Sequence, residues 1–202
     1  MRKILLEYYL SNKKNFIILL IIFFIGFTIG IVSINSLQIH QKDEIYDEIT
    51  NLRAIIKESE SINYNELLFL SIKKHIITIL IIWFLGCTII GGFFIYITIA
   101  YEGFKLGYTI SAFIAVLGIR DGLAISIISL LLQNIIYILA LFLIAQRGIK
   151  LYSGIMKRCI NIRKELLAHT IIMLISVLLS CFSSVIEVYI STNLLMFFKE
   201  II

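Results

Sequence analysis

The residues able to do chemistry are few in this chain, and their spacing argues against a reaction centre. His40, His75 and His169 lie far apart, and none has a second metal ligand at i+4. There is no Walker loop, no GxSxG and no HExxH. Cys87, Cys159 and Cys181 lack the spacing of a zinc knuckle or a disulfide framework. Cys87 and Cys181 fall in apolar runs and read as small apolar residues. Glu102 with Lys105, and Arg120 with Asp121, are expected in short turns, so that no Asp, Glu, Lys or Arg lies well inside a membrane span. The expectation is a protein with no catalytic residue, no metal and no cofactor.

The uncharged small and polar residues are better organised. Ser126, Ser129, Gln133 and Tyr137 recur at i, i+3, i+7 and i+11, with Asn134 beside them. An amide in hydrocarbon needs a partner, so this face is expected to point inward or toward another protein. Gly26 and Gly30 form a GxxxG pair, Gly103, Gly107, Ser111 and Ala115 repeat every fourth residue, and Ser176, Ser180 and Ser184 do the same. Apolar burial cannot drive helices together in lipid, whereas close packing and interhelical hydrogen bonds can. These stripes therefore serve either packing within the chain or docking of a partner's transmembrane helix. Gly103, Gly107, Ser111, Gln133 and Asn134 are the candidate helix-docking residues. A polar path for a transported solute is the alternative use of the Gln133 face, and the expected lack of charge inside the spans weighs against it.

The elements that must hold these residues follow from composition. Of 202 residues, 60% are apolar and 15% charged, and there is no proline. A typical soluble domain is about 25% charged. So apolar a chain belongs in a bilayer, where helices satisfy their own backbone. Five spans are expected at about 16–34, 76–101, 104–119, 123–145 and 166–186, in a single polytopic domain covering 1–202. The first reads as an uncleaved signal anchor, because it is longer than a usual signal-peptide core and no A-x-A site follows. The third is short enough to be partly re-entrant. With the N-terminus inside, the inner segments carry 11 Lys/Arg and the outer ones 7, led by the basic loop 146–165. The positive-inside rule then puts the N-terminus in the cytoplasm and the C-terminus outside. The net charge of +5 is explained by these orientation signals, so no nucleic-acid partner is expected.

The outer loop, 35–75, is the one sizeable soluble segment. Ile45, Ile49, Leu52 and Ile56 mark one face of an amphipathic helix. About forty residues bury little core alone, so this helix is expected against the bundle, the headgroups or a partner. Asn63 followed by Glu66 has capping-box spacing and predicts a helix start leading into the second span. The fold class is thus all-α integral membrane: a bundle of about five transmembrane helices with an amphipathic extracytoplasmic loop helix. Whether it forms a homo-oligomer is left open.

Four segments carry a family likeness: SIKKH before a long span, WFLGCTIIG, EGFKLGYTISAF and LLQNIIYILAL. Together they resemble stage II sporulation protein M, with the most specific likeness over residues 70–145. Trp83, Gly86 and Gly91 match in the second span, Gly103, Phe104, Gly107 and Ser111 in the third, and Gln133 and Asn134 in the fourth. Leu132 and Leu139 stand where the family pattern has proline. The resemblance implies a non-enzymatic scaffold in the engulfing mother-cell membrane at the septum. Its implied partners are stage II sporulation proteins D and P, which remodel peptidoglycan during engulfment.

Overall fold

A computed structural model describes residues 2–37, 39–58, 63–88, 90–127, 132–157 and 161–191. Its elements are six helices: α1 (Arg2–Asn35), α2 (Ile39–Glu58), α3 (Tyr64–Gly86), α4 (Gly91–Ser126), α5 (Leu132–Lys157) and α6 (Ile162–Val185). A π-helical turn, Ile186–Ser191, extends α6. Five of these helices are long and apolar enough to cross a membrane: Lys13–Asn35 of α1, then α3, α4, Asn134–Met156 of α5, and Ile162–Tyr189 across α6 and its π turn. The expected all-α membrane bundle is what forms.

The span boundaries differ from the expected ones, and the difference matters for function. The second crossing runs 64–86, not 76–101, because it starts at the Asn63 cap. Asn63 Oδ1 accepts from the Glu66 backbone N–H (3.4 Å), and Asn63 Nδ2 donates to Glu66 Oε2 (3.3 Å). The turn out of the second crossing begins at Cys87 and Thr88. It is closed by Cys87 N–H to Phe84 O (3.1 Å) and Thr88 N–H to Leu85 O (3.0 Å), with Thr88 Oγ1 also on Leu85 O (2.9 Å). Gly91 passes so close to the Leu85 carbonyl that a Cβ would collide with it. Glu102 and Lys105 therefore fall inside a helix and not in a turn.

The third crossing bends back at its far end. Gly118 has φ 84° and ψ 166°, a left-handed backbone that suits glycine. Beyond it, residues 119–126 fold against the arm they left: a Cβ on Gly122 would sit 2.6 Å from Ile114 Cα. The third span, expected to be short and partly re-entrant over 104–119, instead belongs to a long arm, and only the segment after Gly118 turns back. The arm 91–117 is itself about 40 Å long, enough to cross a ~30 Å bilayer core. Among the described residues the fourth crossing is Asn134–Met156, and Leu123 and Ser126, expected in it, belong to the α4 return, where the Ser126 hydroxyl donates to Gly122 O (2.7 Å). Ser129 and the Gln133 side chain lie outside the described residues.

Contacts between the helices fix their directions. Phe23 and Phe27 of α1 meet Gly103 and Gly107 of α4 in the same order, so these helices run parallel. His75 stacks on Tyr137 (4.0 Å between rings), and Gly86 meets Gly148, so α3 and α5 also run parallel. His75 bonds Ser184 while Gly86 meets His169, so α6 runs opposite to α3. Leu19, Phe23, Ile79, Ile82, Ile95, Ile99, Leu141 and Ile144 form the buried core. The helix faces turned away from it carry exposed Phe, Ile and Leu, as lipid contact requires.

The amphipathic loop helix forms as α2. Ile45 packs beside Ile34 and Ala112 with Tyr108, Phe113 and Val116, so this part of its apolar face rests on its own bundle. The side chains of Ile49, Leu52 and Ile56 lie outside the described residues.

Candidate functional site

The small-residue stripes meet one another. Gly26 packs on the Ala100 backbone, Gly30 on Phe104 and Tyr108, Gly103 on Phe23, and Gly107 on Phe27. A Cβ at any of the four would collide with a backbone carbonyl oxygen. Ser111 Oγ completes the seam by donating to Ile31 O (3.3 Å). Of the candidate docking residues, Gly103, Gly107 and Ser111 are therefore engaged by α1 of the same chain. Asn134 is elsewhere, lining a cavity between α3, α4 and α5.

That cavity is the most chemically loaded place in the bundle. It measures about 190 Å³ and is lined by Lys74, His75, Glu102, Lys105, Leu106, Thr109, Asn134, Tyr137 and Glu187. A water needs only about 10–15 Å³ of such space, so the cavity has room for several. Its depth follows from helix geometry. His75 is eleven residues from the Gly86 end of α3 and Glu102 eleven from the Gly91 end of α4. Each is about 17 Å along its helix, near the middle of a ~30 Å core.

Four charged side chains thus line a cavity within the spans, where none was expected inside them. Glu102 is buried and takes a 2.6 Å bond from Lys105 Nζ, one turn on. The Lys105 ammonium also lies 5.2 Å from the Tyr101 ring centre. The pairing is the physical condition for keeping both charges in low dielectric. Glu187, on the π turn, accepts from Ser71 Oγ. Its Oε2 lies 3.9 Å from His75 Nε2, while His75 Nδ1 is 2.9 Å from Ser184 Oγ. Lys74 lines the cavity with no carboxylate within 4 Å among the described residues. The Tyr137 hydroxyl is buried and makes no well-formed hydrogen bond among them, and neighbouring Thr78 turns its own hydroxyl to Lys74 O (3.3 Å).

A second polar layer lies nearer the α3–α4 turn. His169 Nε2 donates to Trp83 O (3.1 Å), and Gly86 leaves the space its ring fills. Arg147 is buried and bonds Glu165 Oε2 at 2.6 Å, tying α5 to the start of α6. His40 sits apart on α2, 3.5 Å from Glu44. Ser176, Ser180 and Ser184 are all buried on one face of α6, as their spacing predicts.

Sequence reasoning missed Glu102, Lys105, Lys74, His75 and Glu187 as a group. The missing signal was the break at GCTIIGG: a glycine that ends α3 and a glycine pair that opens α4. Reading the turn there places Glu102 mid-helix. Asn134, expected to point inward or toward another protein, lines the cavity.

The family model of stage II sporulation protein M matches residues 19–192, which takes in four crossings whole and most of the first. No curated protein and no solved structure matches the chain.

Proposed function

Because the chain belongs to the stage II sporulation protein M family, we propose that it is a non-enzymatic membrane scaffold that recruits and localises peptidoglycan-degrading partners, stage II sporulation proteins D and P, at the engulfing septal membrane. The family match over nearly the whole bundle carries this reading. The architecture suits it: five crossings pack together, with α1 and α4 joined by a glycine seam, and α2 presents exposed Asp43, Glu44, Tyr46 and Asp47 beside them. With Gly103, Gly107 and Ser111 engaged by α1, partners would meet α2 or the lipid-facing sides instead. Deleting the gene in its host should block engulfment and mislocalise the P-type partner. Normal engulfment, with the partner still at the septum, would sink the proposal.

The charged cavity favours a second reading, a small-molecule transporter. It removes the objection that the spans carry no charge. Flux of polar solutes into proteoliposomes, abolished by Asn134→Leu, would support it. No flux across a broad solute set would count against it.

A further inference from the structure

The cavity between α3, α4, α5 and the π turn is lined by two cations and two anions, but only one pair is closed. Lys105 and Glu102 satisfy each other at 2.6 Å. Lys74 and Glu187 do not: both line the cavity, and no ion pair joins them within 4 Å. Both also line an adjoining apolar pocket with Leu67, Leu70 and Val188, so they stand where the two spaces meet. Between them are polar groups turned to the same space. Tyr137 is 4% exposed and its hydroxyl lacks a well-formed bond among the described residues. His75 Nε2 faces Glu187 at 3.9 Å, beyond hydrogen-bond length.

Lys74 is exposed and has no carboxylate partner within 4 Å among the described residues, and Glu187 has the Ser71 hydroxyl but no close cation. Charges so incompletely paired inside a bilayer are costly, because hydrocarbon returns none of their lost hydration. Water filling the cavity offsets part of that cost. A ligand carrying the complementary charges would offset more, since each of its ends would form a charge-assisted bond in low dielectric. A lone cation would satisfy Glu187 and be repelled by Lys74 and Lys105, and a lone anion would meet Glu102 and Glu187. The charges of Lys74, Lys105, Glu102 and Glu187 cancel, so the lining selects against both.

We infer that the cavity binds a small zwitterion, with an acid group on Lys74, an ammonium on Glu187, and Tyr137 and His75 as hydrogen-bonding partners between. Two sources supply that chemistry: a free amino acid, or an ethanolamine-type phospholipid headgroup entering with its chains along the apolar pocket beside Leu67 and Leu70. The site stands on the cavity geometry alone. Binding without flux would keep it and remove the transport reading, and the scaffold reading is independent of both.

The test uses the full-length protein in nanodiscs of phosphatidylglycerol alone, which contain no zwitterionic lipid. L-alanine and glycerophosphoethanolamine are titrated separately. Saturable one-to-one binding of either upholds the proposal: alanine alone identifies a free amino acid as the source, the glycerol ester alone identifies a lipid headgroup, and both identify the charge pattern. Lys74→Gln and Glu187→Gln should each weaken binding at least about ten-fold, the loss expected on removing one charged partner of a hydrogen bond. Phe93→Leu, on the lipid face, should leave it unchanged. A second readout does not depend on those variants folding. In a Thr109→Cys protein with the native cysteines replaced by serine, bound probe should slow labelling by an impermeant maleimide. Absence of saturable binding by both probes overturns the proposal, as do labelling rates indifferent to both and undiminished binding in correctly folded Lys74→Gln and Glu187→Gln.

Discussion

Glu102 and Lys105 sit one turn apart on α4 and share a 2.6 Å bond about midway across the bundle. Neither charge is stable there alone. Breaking a buried pair by removing one partner costs about 3–5 kcal/mol, because the remaining charge is left uncompensated. Lys105 is 32% exposed in its side chain and meets the hydrated cavity, which lowers that figure. Glu102→Gln is therefore expected to destabilise the protein by roughly 2 kcal/mol. Lys105→Met in the same chain should restore part of the loss, since no charge is then stranded. Thermal unfolding in detergent, run as a double-mutant cycle, measures the coupling. Additive effects of the two changes would show that the pair carries no coupling energy. His75, Ser184 and Glu187 depend on the same logic across helices, with Ser71 holding the carboxylate from α3.

At the scale of the elements, the glycine seam decides how α1 and α4 meet. Gly107 lies against the Phe27 backbone, and Gly103 against Phe23 one turn below. In lipid, that proximity is itself the driving force, through dispersion and weak backbone contacts. Gly107→Ile cannot be accommodated by a rotamer change, because its first carbon already meets a carbonyl. Overpacking typically costs about 1–3 kcal/mol, and displacing two backbones puts this case at the upper end or beyond. The variant should show a lowered melting temperature and faster proteolysis between α1 and α2. Parent-like melting would mean that α1 does not need the seam. The stripes themselves were legible in the sequence, since a four-residue repeat of small side chains has one structural meaning, close approach. Which stripe faces which was not, because that depends on helix direction and register. The span edges were misread at 101–104 for a related reason. Hydropathy shows where apolar residues are abundant, and the third crossing is interrupted at Glu102 and Lys105 by charges that only a packed bundle can hold. The Asn63 cap was legible because it is local: its bonds reach three residues.

For the whole molecule, the contacts place like charges at like ends. α1, α4 and α6 run one way, and α3 and α5 the other. The starts of α1 and α6 therefore share an end, bringing exposed Lys13 and Lys14 together with exposed Arg163 and Lys164. Acidic α2 follows α1 at the opposite end. Moving Glu102 and Lys105 from a loop into the membrane removes one basic residue from the inner tally and leaves this asymmetry standing. The positive-inside rule counts basic residues in short segments flanking the spans, so the Lys13 end is expected in the cytoplasm. Tyr46, exposed on α2, and Lys164, exposed at the start of α6, report the two sides without touching the core. With the native cysteines replaced by serine, Tyr46→Cys should react with an impermeant maleimide in intact cells. Lys164→Cys should react only after the membrane is permeabilised. The opposite pattern would invert the orientation and put α2 in the cytoplasm, out of reach of any wall-degrading enzyme. Such a result would remove α2 as a docking surface while leaving the seam and the charged cavity as they are.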